Sequence, residues 1–312
     1  MSEGKKVAIL RRVLGSFYLT GTERLFFCPK CNHHKHKLSV NIDKDVFKCW
    51  VCDYNGRSVR KLIRYAGTFK DLTDWSELTN EETPVSLTDA FFAEEKEEEE
   101  QIVDLPEEFF SLANKNKPIS SFNAHGYLRN RGITKQDIIR WKIGFCDKGP
   151  FAGRIIIPSF GLSGRPNYFV ARSYTNDWKK YLNPPAKRDV VFNHLFVDFD
   201  ADIILVEGVF DAIIAGPNSI PLLGSTLREK SKLFQEIVRK DTTVYIALDP
   251  DAEKKTMYLI KKLLDYGIEI HKIDITPFED VAEMSKKEFQ KRKIQSVIMD
   301  SDNYLLKTLM SI

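Results

Sequence analysis

The chain has 312 residues, 43% of them hydrophobic, with a formal net charge of +3, which is material for two or three domains with real cores. No apolar run approaches the roughly 18 residues that a membrane helix needs, which argues against a membrane protein. The opening MSEGKKVAILRRVLG has no long apolar core before a small-residue cleavage site, so the expected location is the cytoplasm.

Charge is segregated along the chain. Residues 1–67 carry 14 Lys/Arg against 5 Asp/Glu, residues 71–108 carry 1 against 15, and residues 129–188 carry 13 against 3. Basic modules of this size usually meet a polyanion, because neutralising phosphates releases counterions; a solvated basic helix face is the plain alternative for either one alone.

The first motif is CPKCNHHKHKLSVNIDKDVFKCWVC. Cys28 and Cys31 form one CxxC, Cys49 and Cys52 a second, with 17 residues between the pairs. Four thiolates at that spacing suit one tetrahedral structural zinc. KLSVNIDKDVFKC alternates as a hairpin does, with Asp43–Asp45 at its turn, and a hairpin brings the pairs together as a zinc ribbon. His33, His34 and His36 are then surplus, and Cys146, alone in WKIGFC, reads as a small core residue. A closed four-thiolate site leaves no open coordination position, so this zinc holds a surface. That surface carries Lys30, Lys35, Lys37, Lys48 and Arg57 beside Phe26, Phe27, Phe47, Trp50 and Tyr54, the charge and rings that single-stranded nucleic acid uses. Trp50, between the last two ligands, is the ring expected to be exposed.

TNEETPVSLTDAFFAEEKEEEEQIVDLPEE, with its like-charged block at Glu94–Glu100, reads as a mobile acidic linker. HGYLRNRGITKQDIIRWKIGFC then reads as two short helices: Tyr127 and Leu128 share an apolar face, Thr134 caps the second helix, and Ile138, Ile139 and Trp141 pack it. GRIIIPSFGLSGRPNYFVARSY suggests a hairpin punctuated by Arg154, Arg165 and Arg172. From Ala201 strands alternate with helices: DIILV, a helix from Val209, SIPLL, a helix from about Arg228, TTVYIAL, AEKKTMYLIKKLLDYG, then IEIHKIDI. Short apolar runs between such helices argue for a parallel sheet. The tail after Glu279 looks helical.

Glu207 ends one predicted strand with Asp211 one helical turn later, and Asp249 and Asp251 end another. Ligands gather beyond the carboxyl ends of strands in open parallel sheets, so these acids can converge on Mg²⁺ or Mn²⁺. Taken singly, Asp251 could instead cap a helix and Asp211 could be a solvated residue.

With both halves in view the chain resembles the bacterial-type (DnaG-like) DNA primases, most closely their compact bacteriophage relatives. FFCPKC…FKCWVCDYNG followed by SVRKLIRYAG looks like the primase zinc-binding domain of CHC2 type, and YLRNRGITKQDIIRWKIGFC like the entrance of its RNA-polymerase domain. GRIIIPSF…GRPNYFVARSY and KKYLNPPAKRDVVFN are similar to its basic template-binding segments; LVEGVFDAI, LLGSTL and ALDPDAE look like three successive Toprim signatures.

The resemblance implies a multidomain α/β protein (α+β overall): a zinc ribbon at 1–67, an acidic linker at 68–103, a basic N-terminal subdomain of the RNA-polymerase domain at 104–200, a parallel-sheet Toprim core at 201–280 and a helical tail at 281–312. It implies a nucleotidyltransferase that makes short RNA primers on single-stranded DNA from ribonucleoside triphosphates, in partnership with a replicative helicase and replisome proteins, in host cytoplasm if phage-encoded. Glu207, Asp249 and Asp251 become catalytic acids and ligands for two or more Mg²⁺ or Mn²⁺ ions. Arg154, Arg172, Lys180, Tyr181 and Asn183 lie along the template or nucleotide path, with Trp50 on the zinc ribbon. Related primases place two acids after the last Toprim strand; here Asp280 matches the first, Ala282 replaces the second, and Glu283 stands beside the gap. The helix after Asp251 opens on Glu253, Lys254 and Lys255, where the family has a small, glycine-containing start, and the helicase-binding C-terminal domain is expected to be absent. A Toprim nuclease, or a non-catalytic zinc and Toprim DNA-binding repair factor, are the alternatives.

Overall fold

The chain divides into two units, and the computed structural model describes residues 2–79, 100–175, 177–224, 227–228 and 231–310. The first unit takes in residues 1–98 with the short segments Val238–Asp241 and Asp265–Gly267; the second is the rest.

In the first unit helix α1 (Ser2–Leu14) precedes five strands, β1 (Tyr18–Thr20), β2 (Glu23–Phe26), β3 (Leu38–Asn41), β4 (Val46–Cys49) and β5 (Asn55–Gly56), and then helices α2 (Val59–Ala66) and α3 (Phe69–Thr79). The strands pair antiparallel in chain order. The expected hairpin is β3–β4, in a register that sets Leu38 opposite Cys49. Its turn is closed by the Lys44 N–H donating to Asn41 Oδ1 at 2.9 Å, with Asp45 in the left-handed region at φ 50. Leu10, Phe26, Leu38, Val40, Leu62, Ile63 and Trp75 form the core. Helix α3 falls in the opening of the segment expected to be linker. Its acids have structural partners: Asp71 accepts from the Thr68 N–H at 2.8 Å, and Arg12 pairs with both Asp71 and Asp74. Residues 80–99, most of the acidic linker, lie outside the described residues.

The second unit opens with β6 (Phe110–Ser111), α4 (Ser121–Asn130), α5 (Lys135–Arg140), β7 (Gly144–Cys146), β8 (Arg154–Phe160) and β9 (Pro166–Ser173). The four strands form one antiparallel sheet, β8–β9 being the expected hairpin. Thr134 caps α5 in a capping box with Asp137, as the sequence predicts. Ile139 is exposed while Ile138 and Trp141 pack inward.

The strand–helix alternation follows: β10 (Ile203–Val206), α6 (Val209–Ala215), β11 (Ser219–Pro221), α7 (Lys232–Lys240), β12 (Val244–Ala247), α8 (Glu253–Asp265), β13 (Ile270–Lys272), α9 (Lys286–Ile294), β14 (Val297–Ile298) and α10 (Ser301–Met310). The sheet order is β11-β10-β12-β13-β14, parallel except for β14. The tail is thus helical but for β14, which pairs with β13. Because the chain leaves β10 for β11 on one side and β12 lies on the other, the connections part at the β10/β12 boundary, the place where open parallel sheets take their ligands beyond the strands' carboxyl ends. One core spans both sheets of this unit, from Leu128, Phe145 and Ile157 to Ile204, Phe210 and Phe289. Among the described residues no helix is long and apolar enough to cross a membrane.

Candidate metal centre and acidic active site

Each CxxC pair is followed by a residue in the left-handed region, Asn32 at φ 49 and Asp53 at φ 52, residue types that tolerate that backbone. The two knuckles fold back on themselves and bring the four sulfurs of Cys28, Cys31, Cys49 and Cys52 within 4.8 Å of one another. Cys28 and Cys52 are 3.7 Å apart, Cys31 and Cys49 3.8 Å. A zinc tetrahedron with bonds of about 2.3 Å has sulfur–sulfur edges of about 3.8 Å, whereas a disulfide needs about 2.05 Å. The donor set therefore fits structural zinc. Hydrogen bonding with Cys49 lowers the Cys28 thiol to about 5 while Cys49 is pushed up, so without a cation these two thiols do not ionise together. No histidine shares the cluster. The His33 ring stacks on His34, and His36 lies 3.7 Å from the Phe27 ring and 4.6 Å from Tyr18.

The exposed rings of this unit differ from those expected. Trp50 is buried, edge-on to Tyr266, and Phe26 and Phe47 belong to the core. Lys37 is buried too, its ammonium donating to the Tyr266 carbonyl at 2.7 Å. Among the described residues of this unit Tyr18, Phe27 and Tyr65 are the exposed aromatics instead, the first two flanking His36.

The acids sit where the second unit's sheet topology puts them. Val206 pairs with Ala247, so Glu207 follows the end of β10 while Asp249 and Asp251 follow the end of the adjacent β12. Asp211, in the first turn of α6, is buried at 7% exposure. It accepts from the Gly208 N–H at 2.8 Å and the Ala282 N–H at 2.9 Å. A Cβ on Gly208 would approach Asp211 Oδ2 to 3.0 Å, which explains a glycine there. Burial, then the charges of Asp280 and Glu207, push Asp211 up to about 6. Asp249 rises further, to about 7, through burial and the charges of Asp211, Glu207, Asp280 and Asp251. Asp249 thus lies in the field of four other carboxylates, although among the described residues no three of these acids bring oxygens within 4.8 Å of one another. Asp249 Oδ1 is buried with no hydrogen-bond partner, which a bound cation would supply. A hard divalent ion fits this all-oxygen set. Asp280 has a second task, accepting the Glu283 N–H at 2.9 Å as the cap of the following turn; Glu283 accepts from the Glu279 N–H. Lys255 Nζ lies 3.2 Å from Glu207 Oε1.

The predicted template-side residues separate into two kinds. Arg172 is stacked 4.7 Å over Tyr181, which is exposed, and donates to the Tyr127 hydroxyl at 3.1 Å. Lys180 is exposed. Arg154, expected to touch template or nucleotide, is buried: it pairs with Asp177 and donates to the Lys179 carbonyl at 2.9 Å, so it braces a loop. The Asn183 side-chain Oδ1 accepts from the Ala171 N–H at 3.2 Å, fastening the same loop to β9. Sequence reasoning missed Arg131, which lies 5.0 Å over both Tyr127 and Phe210, next to Asp211. It placed Asp211 among the converging acids but not as the carboxylate that accepts the Gly208 and Ala282 N–H groups.

Comparison with known proteins fits this geometry. No protein-family model matches the chain. A DNA primase of Thermotoga maritima is 27% identical over 57% of this chain and 34% of that relative. The sequences it resembles are DNA primases. The chain spans between 34% and 57% of the length of the curated relatives aligned with it. The structure of the Aquifex aeolicus primase zinc-binding and RNA-polymerase domains covers 95% of this chain and 84% of its own, with a TM-score of 0.51 at 19% identity. A DnaG primase catalytic domain bound to ssDNA covers 62% and 77%, with a TM-score of 0.51 at 18% identity. The chain therefore has the fold of the zinc-binding and RNA-polymerase domains of a bacterial primase.

Proposed function

We propose that this chain is a DNA primase of the compact bacteriophage type, which joins ribonucleotides into short RNA primers on single-stranded DNA. The observation that carries the reading is that Glu207, Asp249 and Asp251 follow the ends of two adjacent parallel strands, with Asp211 and Asp280 also in the field of Asp249 and one buried Asp249 oxygen unpartnered. Residues 201–280 act as its Toprim core. Mg²⁺ or Mn²⁺, when bound, supplies the positive charge that aligns the attacking 3′-hydroxyl with the α-phosphate and stabilises the leaving pyrophosphate.

The chain's own residues do the rest. Glu207, Asp249 and Asp251 hold the cations, with Asp280 at the edge. Asp211 fixes the turn after β10 and keeps Glu207 in place. Arg131, Arg172, Lys180 and Tyr181 offer charge and rings to template and triphosphate, and the zinc-held unit, through Tyr18 and Phe27, reads the template. A replicative helicase and replisome proteins are its partners and the cytoplasm its location. With single-stranded DNA, four ribonucleoside triphosphates and Mg²⁺, the chain releases pyrophosphate in a template-dependent way. Template cleavage without pyrophosphate release would point to a nuclease.

A further inference from the structure

Trp178 is 92% exposed, whereas Trp50, Trp75 and Trp141 are 8%, 1% and 6% exposed. A tryptophan ring is the largest apolar side chain a fold can bury, and one left almost wholly in water contributes little to this fold. Its surroundings are nonetheless ordered. The chain leaves β9, makes an excursion and returns beside the same strand, with the Ser173 N–H donating to the Lys180 carbonyl at 2.9 Å and the Leu182 N–H to the Ala171 carbonyl at 3.0 Å. Within the excursion both neighbours of Trp178 are fixed. Asp177 is paired with buried Arg154, its other oxygen accepts the Lys179 N–H at 2.9 Å, and the Lys179 carbonyl accepts from Arg154.

The loop is therefore braced on both sides of an exposed ring. Lys179 and Lys180 follow it, both exposed and without an ion pair among the described residues, and Tyr181 lies under the Arg172 guanidinium. The one acid nearby in sequence, Asp177, is neutralised by Arg154. A protein-docking patch needs contiguous apolar area, and here the exposed ring is flanked in the chain by Asp177, Lys179 and Lys180. An exposed ring on a braced backbone, beside free cations, matches a base attached to a phosphate chain.

We propose that Trp178 is a stacking platform for a nucleobase of the single-stranded template, with Lys179 and Lys180 on the adjoining phosphates. The inference rests on the template-binding reading above and adds a positioning residue to it. Stacking is sequence-tolerant and releases no counterions, so its loss lowers affinity without changing salt dependence.

The test uses the full chain and fluorescein-labelled oligo(dT). Because the other three tryptophans are buried, the acrylamide-accessible emission is that of Trp178, and saturating oligo(dT) is expected to quench it and protect it. Trp178→Ala is expected to weaken binding about 5- to 150-fold with the slope of log Kd against log salt unchanged, and Trp178→Phe to retain most of the affinity. An abasic strand is expected to bind wild type and Trp178→Ala alike. Unchanged acrylamide accessibility at saturation, equal oligo(dT) affinity of Trp178→Ala, or an equal loss on the abasic strand would overturn the stacking role while leaving template binding standing. Failure of the wild-type chain to bind any single strand would overturn both.

Discussion

Asp211 ties two turns together: its Oδ1 accepts the Ala282 N–H at 2.9 Å and its Oδ2 the Gly208 N–H at 2.8 Å. One buried carboxylate thereby couples the turn that presents Glu207 to the turn that presents Asp280. Removing it with Asp211→Ala should free both amides. A hydrogen bond to a charged group is worth about 1.5–3 kcal/mol, so exchange protection at Ala282 should fall roughly 10- to 150-fold. The Mg²⁺ concentration for half-maximal synthesis should rise with it. Unchanged protection at Ala282 would contradict the coupling.

Asp249 makes the acidic cluster pH-sensitive. Burial and four neighbouring acids raise it to about 7. An acid raised above its unfolded range stabilises the fold below about pH 4, and that stabilisation is lost as pH climbs through about 7. In EDTA the wild-type Tm should therefore fall between pH 5 and pH 8, and Asp249→Asn should fall less and melt a few degrees higher at pH 8. Mg²⁺ should reverse the order by stabilising the wild type alone, and Mg²⁺ affinity should rise over the same pH interval. A wild-type Tm flat with pH in EDTA would count against the shared field.

Cys49→Ser opens a four-thiolate site whose binding energy is folding energy for a small unit. Metal analysis of the wild type should give one zinc per chain and of the variant much less, with the first unit becoming sensitive to proteolysis. Unchanged zinc in the variant would refute the ligand set.

Arg154 and Lys180 should part company. Arg154 is buried against Asp177, so Arg154→Ala should lower Tm and, by loosening the loop that carries Lys179 and Lys180, weaken template binding as a consequence. Lys180→Ala should leave Tm alone and reduce that slope by about 0.7, the share of one phosphate contact on a single strand. Melting curves of both variants, read beside salt titrations against one oligonucleotide, decide the assignment.

Asp280 caps a turn, and Asp280→Asn keeps that cap because the amide oxygen still accepts from Glu283. The variant should fold normally and need more Mg²⁺ for half-maximal synthesis, and Ala282→Asp, which adds a carboxylate beside it, should need less. If neither moves that concentration, this edge does not bind metal.

What could be read from the sequence was what short-range pattern controls. The CxxC pairs and their hairpin, the β8–β9 pair, the Thr134 cap and the strand–helix alternation all depend on neighbours within a few residues, and parallel topology alone then brings Glu207 and Asp249 together. What could not be read was exposure. Trp50 and Tyr18 look equally suited to a surface until packing buries one and leaves the other out. Arg154 reads as a phosphate ligand by charge, and only the return of the chain to Lys179 reveals a brace. Helix α3 was hidden by its acids, since Thr68–Asp71 capping and the Arg12 pairs offset a composition that otherwise reads as linker.

The most direct test of the central claim is the size and sequence of what the chain makes. It would be incubated with a single-stranded template library, α-labelled ribonucleotides and Mg²⁺, alongside Asp249→Asn. Short RNA oligomers complementary to template, nearly abolished in Asp249→Asn although that variant folds and binds single strands, are the predicted result. Absence of RNA with the wild type, cut template in its place, or near-normal synthesis by Asp249→Asn would contradict the account.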